Sequence, residues 1–196
     1  MLSKEIQLEV NKGAMLPLME EFYTIQGEGS HTGTAAYFVR IGGCDVGCHW
    51  CDVKESWNAE LHPPTSVDKI VENAVKYADT VVVTGGEPLT WDMTLLTSKL
   101  KERGLKLHIE TSGAYPLSGT WDWICLSPKK FKFPIEESLL KANEFKVVIY
   151  NKKDFDCSEP FKYFTEKCNG WVMDSENKKW LKDKLEELSK TKYIQN

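Results

Sequence analysis

The sequence predicts an α/β fold with a parallel sheet, and three observations carry that prediction. Short runs rich in β-branched residues alternate along the chain with longer segments of helical periodicity, as β–α–β units with right-handed crossovers require. The most unusual motifs directly follow these short runs, and ligands of parallel sheets bind at the carboxyl ends of strands. A length of 196 residues suits one domain with its own core. We therefore expect a single domain over residues 1–196, with residues 1–18 as an N-terminal extension.

Short apolar runs mark the strands. Ala-Ala-Tyr-Phe-Val-Arg-Ile at residues 35–41 is predicted as the first core strand. Thr-Val-Val-Val-Thr at residues 80–84 is typical of a strand that is buried on both faces. The remaining strands are predicted at residues 105–110, 123–127 and 145–150.

Helical periodicity identifies the connecting segments. Residues 66–78 place five apolar side chains on one helical face, and Ser66 is a suitable N-cap. Residues 91–103 are predicted as a second helix, which Gly104 ends. Further helices are predicted at residues 135–142, 159–168 and 178–189.

The charge and the apolar patterning exclude several classes of protein. The net charge is −4 and no basic stripe dominates, so nucleic acid is not the expected partner. No apolar run is long enough to span a bilayer. The first twenty residues lack the apolar core of a secretory signal. We expect a cytoplasmic location, where the six cysteines serve as ligands or free thiols rather than in disulfides.

Three cysteines, Cys44, Cys48 and Cys51, lie in one short segment that follows the first predicted strand. A structural zinc takes four ligands, and an ordinary electron-transfer iron–sulfur cluster takes four cysteines. Three neighbouring thiols without an obvious fourth ligand favour a cluster in which one iron stays open for a further ligand.

On spacing alone, other sites stay open as alternatives. His49 or Asp45 would complete a tetrahedral zinc site. A distant fourth cysteine would close an ordinary cluster, and a disulfide would use two of the three thiols. The distant cysteines are Cys125, Cys157 and Cys168.

A second motif, Gly85-Gly86-Glu87-Pro88, follows the strand predicted at residues 80–84. Adjacent glycines let a backbone approach a ligand closely, although a tight turn would use the same residues. Together, the Cys-x3-Cys-x2-Cys and Gly-Gly-Glu-Pro motifs resemble the radical S-adenosylmethionine (SAM) enzymes. The resemblance implies a [4Fe–4S] cluster whose open iron binds the amine and carboxylate of SAM. It also implies a partial (β/α)6-type open barrel, here with a shortened C-terminal part.

A narrower resemblance rests on residues around these motifs. Ile-Gln-Gly-Glu-Gly at residues 25–29 would read as a hairpin turn if taken alone. Combined with Arg40, with Cys-Asp-Val-Lys-Glu-Ser-Trp at residues 51–57 and with Leu-Ser-Pro-Lys at residues 126–129, it is similar to the 7-carboxy-7-deazaguanine synthase family. The similarity covers about residues 19–150, most of the chain.

This family resemblance implies a function. The implied reaction converts 6-carboxy-5,6,7,8-tetrahydropterin to 7-carboxy-7-deazaguanine with release of ammonia, on the path to 7-deazapurines such as queuosine. It also implies a homodimer and a one-electron donor such as flavodoxin. The alternatives are a glycyl-radical activase of the same superfamily, whose substrate is a protein, and a non-enzymatic module that uses the thiols as structural metal ligands.

The resemblance also assigns site residues by position, and it assigns no residue to acid–base catalysis. The implied metal ligands are Cys44, Cys48 and Cys51. The implied substrate-binding residues are Ile25, Gln26, Gly27, Glu28, Arg40 and Thr84. The implied cofactor-binding residues are Trp50, Cys51, Asp52, Gly86, Glu87, Ser127, Pro128 and Lys129. Ser112 is predicted as a further cofactor contact from its place in Glu-Thr-Ser-Gly at residues 110–113, which ends a predicted strand.

Two departures from the family pattern bear on these assignments. Many members carry Thr or Ser two residues after the third cysteine, where the hydroxyl ligates Mg2+. This chain has Val53 there, and an aliphatic side chain cannot ligate a hard cation. The region after Tyr150 is short, and residues 170–173 offer only a weak candidate for a further strand.

Overall fold

The computed structural model describes residues 4–129 and 131–146, which belong to the first of two compact units, Met1–Val148 and Ile149–Asn196. The described helices are α1 (Lys4–Asn11), α2 (Val67–Ala74), α3 (Thr94–Glu102) and α4 (Glu136–Lys141). The described strands are β1 (Met15–Ile25), β2 (Ala35–Ile41), β3 (Pro64–Ser66), β4 (Thr80–Gly85), β5 (Lys106–Thr111), β6 (Trp123–Leu126) and β7 (Glu144–Phe145).

The strands form one seven-stranded sheet in the order β3-β1-β2-β4-β5-β6-β7. From β2 to β7, each neighbouring pair is parallel, which confirms the α/β class and the parallel core. The antiparallel strand β1, which pairs with both β2 and β3, was not predicted. Two adjacent glutamates, Glu20 and Glu21, interrupt the apolar pattern of β1, and its partners lie elsewhere in the sequence. Residues 26–34 join β1 to its antiparallel partner β2, so the segment that would read as a hairpin turn if taken alone does connect two antiparallel strands.

Most predicted elements in the described part of the chain are confirmed, with shifted ends. The strand predicted at residues 35–41 has those bounds. The first predicted helix ends at Ala74, and the side chain of Ser66 caps it by accepting from Lys69 N. The second begins at Thr94, whose backbone N donates to Asp92 Oδ1 at 2.9 Å. The predictions for residues 147–150, 159–168, 170–173 and 178–189 lie outside the described residues.

The N-terminal segment contributes to the sheet. The predicted extension overlaps β1, which starts at Met15, and the Leu16 side chain is fully buried. The division of the chain into one domain plus this extension stays a prediction. Among the described residues, no helix is both long and apolar enough to cross a bilayer.

Successive side chains of each strand point to opposite faces of the sheet, and the two faces differ in chemistry. One face, which we call the helix face, carries Tyr37 and Glu21. It meets the α2 side, since Tyr37 stacks on Tyr77 at 5.6 Å and Asn73 donates to Glu21. The opposite face, which we call the polar face, carries two rows across the strands. One row contains Phe22, Phe38, Val82, His108 and Trp123. The other contains Glu20, Arg40, Thr84, Glu110, Cys125 and Glu144.

Candidate functional site

The loop that carries the three cysteines starts where β2 ends, and backbone hydrogen bonds fix its first turn. Gly43 N donates to Ser56 O at 2.6 Å, and Cys44 N donates to Trp57 O at 3.1 Å. Later in the loop, Cys51 N donates to Cys48 O at 3.0 Å. The loop therefore folds back on itself at the carboxyl edge of the sheet, where the sequence predicted a ligand site.

The three thiols are all free, so the disulfide alternative is wrong in the described residues. Burial raises the pKa of the Cys44 and Cys48 thiols, and the charge of the neighbouring Cys51 raises both pKa values further. The three thiols are therefore close enough to interact electrostatically. Nowhere in residues 4–129 and 131–146 do three or more His, Cys, Asp or Glu side chains converge as a ready metal site. Three free thiols on one loop nevertheless match the donor chemistry of an iron–sulfur cluster.

The Gly-Gly turn at the end of β4 packs directly against the start of the cysteine loop. Gly86 N donates to Ile41 O at 3.0 Å, and Glu87 N donates to Gly43 O at 2.8 Å. A Cβ on Gly86 would lie 2.4 Å from Gly43 O and 2.8 Å from Cys44 Cβ. A glycine at position 86 is thus needed for the close approach of the two strand ends.

Glu87 is buried at 1% exposure, and its carboxylate is bound within the protein. Its Oε1 accepts from Thr111 Oγ1 at 2.6 Å and from Leu89 N at 3.1 Å. Its Oε2 accepts from Ser112 N at 2.7 Å and from the Ser112 hydroxyl. Two predicted cofactor contacts, Glu87 and Ser112, therefore bind each other and join the ends of β4 and β5.

The Ser-Pro-Lys segment closes the other side of the cysteine loop. Ser127 N donates to Thr111 O at 2.7 Å, which fixes this segment at the end of β6. Lys129 Nζ donates to Ser127 O at 2.7 Å. Burial lowers the pKa of Lys129, while the nearby Cys48 raises it, so this ammonium lies beside the cysteine loop. On the loop itself, the Trp50 ring contacts Phe131 at 5.0 Å, and Asp52 is exposed.

Three of the predicted substrate-binding residues meet on the polar face. Glu110 accepts from Gln26 Nε2 at 3.1 Å and from Thr84 Oγ1 at 3.2 Å. Lys146 Nζ lies 2.9 Å from Glu28 Oε2 and 3.4 Å from Glu110 Oε2. Gln26, Glu28 and Thr84 are therefore held together by two residues, Glu110 and Lys146, which were not among the predicted substrate contacts. We call these five residues the polar cluster.

The other predicted substrate residues lie outside the polar cluster. Arg40 is on the polar face but donates through Nε to Glu20 Oε1 at 2.7 Å. Ile25 is 62% exposed, and Gly27 is also exposed in the turn after β1.

Val53, the position at which many family members carry a hydroxyl, lies at the start of a short 3-10 turn. Its carbonyl accepts from Ser56 N at 3.1 Å.

Four of the five polar-cluster residues line a pocket, and the sequence predicted two of them, Gln26 and Glu28, as substrate contacts. Glu28, His31, Glu110, Cys125 and Lys146 are among the residues that line it. Burial raises the pKa of the Cys125 thiol to about 12, so this lining residue is uncharged at pH 7. The signal that could have found this site is the strict apolar–polar alternation of β5, which assigns Glu110 to a face different from that of Ile109.

Contacts between aromatic rings form one wall of this pocket. The His31 ring lies 4.4 Å from the ring of His108 and 4.5 Å from that of Trp123. Burial and the neighbouring His31 lower the pKa of His108 to about 4, so this imidazole is neutral at pH 7. The turn after β1 is also held here, because Ser30 N donates to Glu144 Oε1 at 3.0 Å.

The chain is similar to known proteins in both sequence and fold. The family profile of the Radical SAM superfamily matches residues 38–125. The chain is 74% identical over 159 residues to 7-carboxy-7-deazaguanine synthase from Flavobacterium psychrophilum, covering 81% of this chain and 76% of that protein. The enzyme of the same name from Synechocystis sp. is 51% identical over 73% of this chain and 69% of its own length. The crystal structure of QueE from Escherichia coli superposes with a TM-score of 0.67 at 31% identity, over 80% of this chain and 79% of that one.

Proposed function

The chain belongs to the 7-carboxy-7-deazaguanine synthase family of radical SAM enzymes, and from that premise we propose that it converts 6-carboxy-5,6,7,8-tetrahydropterin to 7-carboxy-7-deazaguanine. The reaction contracts a ring and releases ammonia, so the enzyme is a carbon–nitrogen lyase of queuosine precursor biosynthesis. The observation that carries the proposal is the meeting of the cysteine loop and the Gly-Gly turn at one sheet edge, next to the polar cluster.

The residues at the carboxyl edge fit a [4Fe–4S] cluster and SAM. Cys44, Cys48 and Cys51 would hold the cluster, because they are free thiols on one loop. When bound, the cluster and SAM supply the radical that starts the reaction, and the protein supplies position and shielding. The close packing of Gly86 on Cys44 leaves backbone groups of the Gly-Gly turn next to the cluster ligands.

The remaining predicted cofactor contacts surround this edge, and their roles differ. Lys129 and Ser127 border the cysteine loop from β6, where a cationic ammonium suits the carboxylate of SAM. Glu87 and Ser112 link the ends of β4 and β5, because their polar atoms are hydrogen-bonded to each other. We propose that these two residues hold the Gly-Gly backbone in place for the cofactor. Trp50, Cys51, Asp52 and Pro128 complete the proposed cofactor-binding set.

The polar cluster supports binding of a pterin. An aminopyrimidinone ring offers both hydrogen-bond donors and acceptors on one edge, and the cluster presents carboxylates, an amide, a hydroxyl and an ammonium. Gln26, Glu28 and Thr84 are the predicted substrate contacts here. Ile25 and Gly27 would contribute backbone groups from the same turn. Arg40 would bind the substrate carboxylate, since a planar guanidinium pairs with a carboxylate through two hydrogen bonds.

Other parts of the proposal rest on the family resemblance. We propose a homodimer, a one-electron donor such as flavodoxin and a cytoplasmic location. A magnesium ion would have to bind through substrate oxygens and water, because the Val53 side chain offers no oxygen.

The test is anaerobic reconstitution of the purified protein, followed by incubation with carboxytetrahydropterin, SAM and a reductant. Mass analysis should detect 7-carboxy-7-deazaguanine, and iron and sulfide should be present at about four each per chain. One zinc without sulfide would support the structural metal module instead. A loaded cluster that consumes SAM without converting the pterin would support the activase.

A further inference from the structure

Arg40 has a carboxylate partner on the polar face before any ligand binds. Arg40 Nε donates to Glu20 Oε1 at 2.7 Å, and the two side chains are 20% and 48% exposed. Among the described residues, Glu20 is the only side chain with which Arg40 forms a hydrogen bond or ion pair. The contact uses the Nε corner of the guanidinium, so the two terminal nitrogens at its far end stay available to a second carboxylate.

A β-bulge in β1 is what places Glu20 opposite this arginine. Leu18 pairs with Ile41 and Glu20 pairs with Arg40, so two steps along β1 match one step along β2. Without the extra residue, Met19 would oppose Arg40, and Glu20 would oppose Val39 on the helix face. The bulge therefore exchanges a thioether for a carboxylate at the position across from Arg40.

We propose that Glu20 is a positioning residue, which holds the Arg40 guanidinium in the orientation that binds the substrate carboxylate. This inference rests on the proposed role of Arg40 in substrate binding. A free arginine side chain samples many rotamers, and binding must then pay for ordering it. An acceptor fixed by the sheet on the Nε side removes that disorder in advance and leaves the paired terminal nitrogens facing the ligand.

The negative charge of Glu20 also has an opposite effect, since it repels an incoming carboxylate. Two substitutions of Glu20 separate the effect of orientation from the effect of charge. Glu20→Gln keeps an oxygen that can accept from Arg40 Nε but removes the charge, whereas Glu20→Ala removes both. If orientation dominates, Glu20→Gln binds the substrate like the unmodified protein and Glu20→Ala binds it more weakly.

The experiment measures binding by calorimetry on the reconstituted holoenzyme with SAM, under anaerobic conditions. The ligands are 6-carboxytetrahydropterin and tetrahydropterin, which lacks the carboxylate. The variants are Glu20→Ala, Glu20→Gln and Arg40→Ala. The matched control is Glu9→Ala, because Glu9 is 44% exposed and also forms an ion pair, with Lys12 at 3.1 Å, in helix α1. Thermal unfolding of each variant verifies that it is folded.

The expected result is a loss of about three- to tenfold in affinity for the carboxylated pterin in Glu20→Ala. The affinity for tetrahydropterin should not change, and Glu20→Gln and Glu9→Ala should bind both ligands normally. Unchanged or tighter binding of the carboxylated pterin by Glu20→Ala would overturn the inference, and so would a Glu20→Gln variant as weak as Glu20→Ala. If Arg40→Ala kept its preference for the carboxylated ligand, the proposed role of Arg40 itself would fail.

Discussion

The two faces of one sheet have different tasks in this protein. On β5, Leu107 and Ile109 point to the helix face and are fully buried, while His108 and Glu110 point to the polar face. The alternation is the same along β2, where Val39 is fully buried and Arg40 lies on the polar face. The helix face holds the fold together by burying apolar surface. The polar face also has a buried apolar cluster, around Phe38 and Val82, but its second row carries polar groups whose hydrogen bonds link segments from distant parts of the chain.

The difference shows how the protein stabilises the charged groups of a binding site. Glu28 and Lys146 are separated by 118 positions in the sequence, yet their charged groups lie 2.9 Å apart. Charged groups in a partly buried pocket need partners to be stable there. The apolar contacts of the helix face, together with the buried apolar cluster around Phe38 and Val82, supply the stability that such a polar arrangement requires. Substitutions on the two faces should therefore affect different measurements.

The largest expected effect separates the cysteine loop from the polar face. Cys48→Ala should abolish cluster assembly, because one of three proposed iron ligands is lost, while Cys125→Ala should retain iron, because Cys125 lines the pocket of the polar face. Iron and sulfide analysis after anaerobic reconstitution measures this difference. An equal loss of iron in Cys125→Ala would show that this thiol is a ligand and that the assignment is wrong.

A direct test of the comparison uses two neighbours on β5. Ile109→Ala should lower the free energy of unfolding by about 2–5 kcal/mol, because it leaves a cavity under the helix face. Glu110→Gln, on the other face, should cost less stability, because it creates no cavity and Lys146 keeps Glu28 as a partner, but it should weaken binding of the pterin. Denaturant unfolding and calorimetry provide the two measurements. Similar stability losses in both variants would mean that the two faces do not divide these tasks.

Arg40 tests whether the polar face binds an anionic substrate. Arg40→Ala should cost about 1.5–3 kcal/mol of binding free energy for carboxytetrahydropterin, the usual value of a hydrogen bond to a charged group. The cluster should assemble normally, since Arg40 is not a thiol ligand and its ion pair is made with Glu20. Arg40→Lys is the matched control, because it keeps the positive charge without the planar guanidinium. Its affinity for carboxytetrahydropterin should lie between that of the unmodified protein and that of Arg40→Ala. Unchanged affinity in Arg40→Ala would contradict the assignment.

Much of the fold could be predicted from the sequence, because the strands of the parallel core have strong local patterns. Residues 80–84 are apolar and β-branched, and β4 forms there with both faces buried. By contrast, β1 depends on pairing with β2 and β3, and its own pattern contains adjacent glutamates. The bulge between Leu18 and Glu20 is likewise a property of the pairing and not of the local sequence.

The candidate site could be predicted only where a motif is local. The cysteine spacing and the Gly-Gly turn each lie within a few residues, and the structure places them side by side. Neither Glu110 nor Lys146 was predicted as a substrate contact, and both enter the polar cluster through contacts across the sheet. Glu87 shows a third case: its motif was recognised, but its bonds to Thr111 and Ser112 depend on the neighbouring strand.

His108 allows a pH test of the polar face. Its pKa is lowered to about 4 by burial and by His31 and Lys106, while Asp122 and Glu144 act in the opposite direction. An unfolded histidine has a pKa of about 6.5, so the unfolded state binds more protons between these values. Stability should therefore fall as the pH drops from about 6.5 towards 4. His108→Phe should reduce this dependence in thermal unfolding measured from pH 7.5 to 5, and an unchanged slope would contradict it.

The smallest effect concerns Val53, which belongs to neither face of the sheet. We expect a weaker dependence on Mg2+ than in relatives with a hydroxyl at this position, because a metal held only by substrate and water has no protein anchor. Val53→Thr introduces that hydroxyl in a residue of similar shape, and it should increase the apparent affinity for Mg2+. Activity titrated against Mg2+ after chelation measures both proteins, with Val53→Ala as a control for the loss of packing. An unchanged metal affinity in Val53→Thr would mean that this position does not determine the metal requirement. A steep Mg2+ requirement in the unmodified protein would point to a ligand from another part of the chain, and hence to a site that depends on more than the cysteine loop.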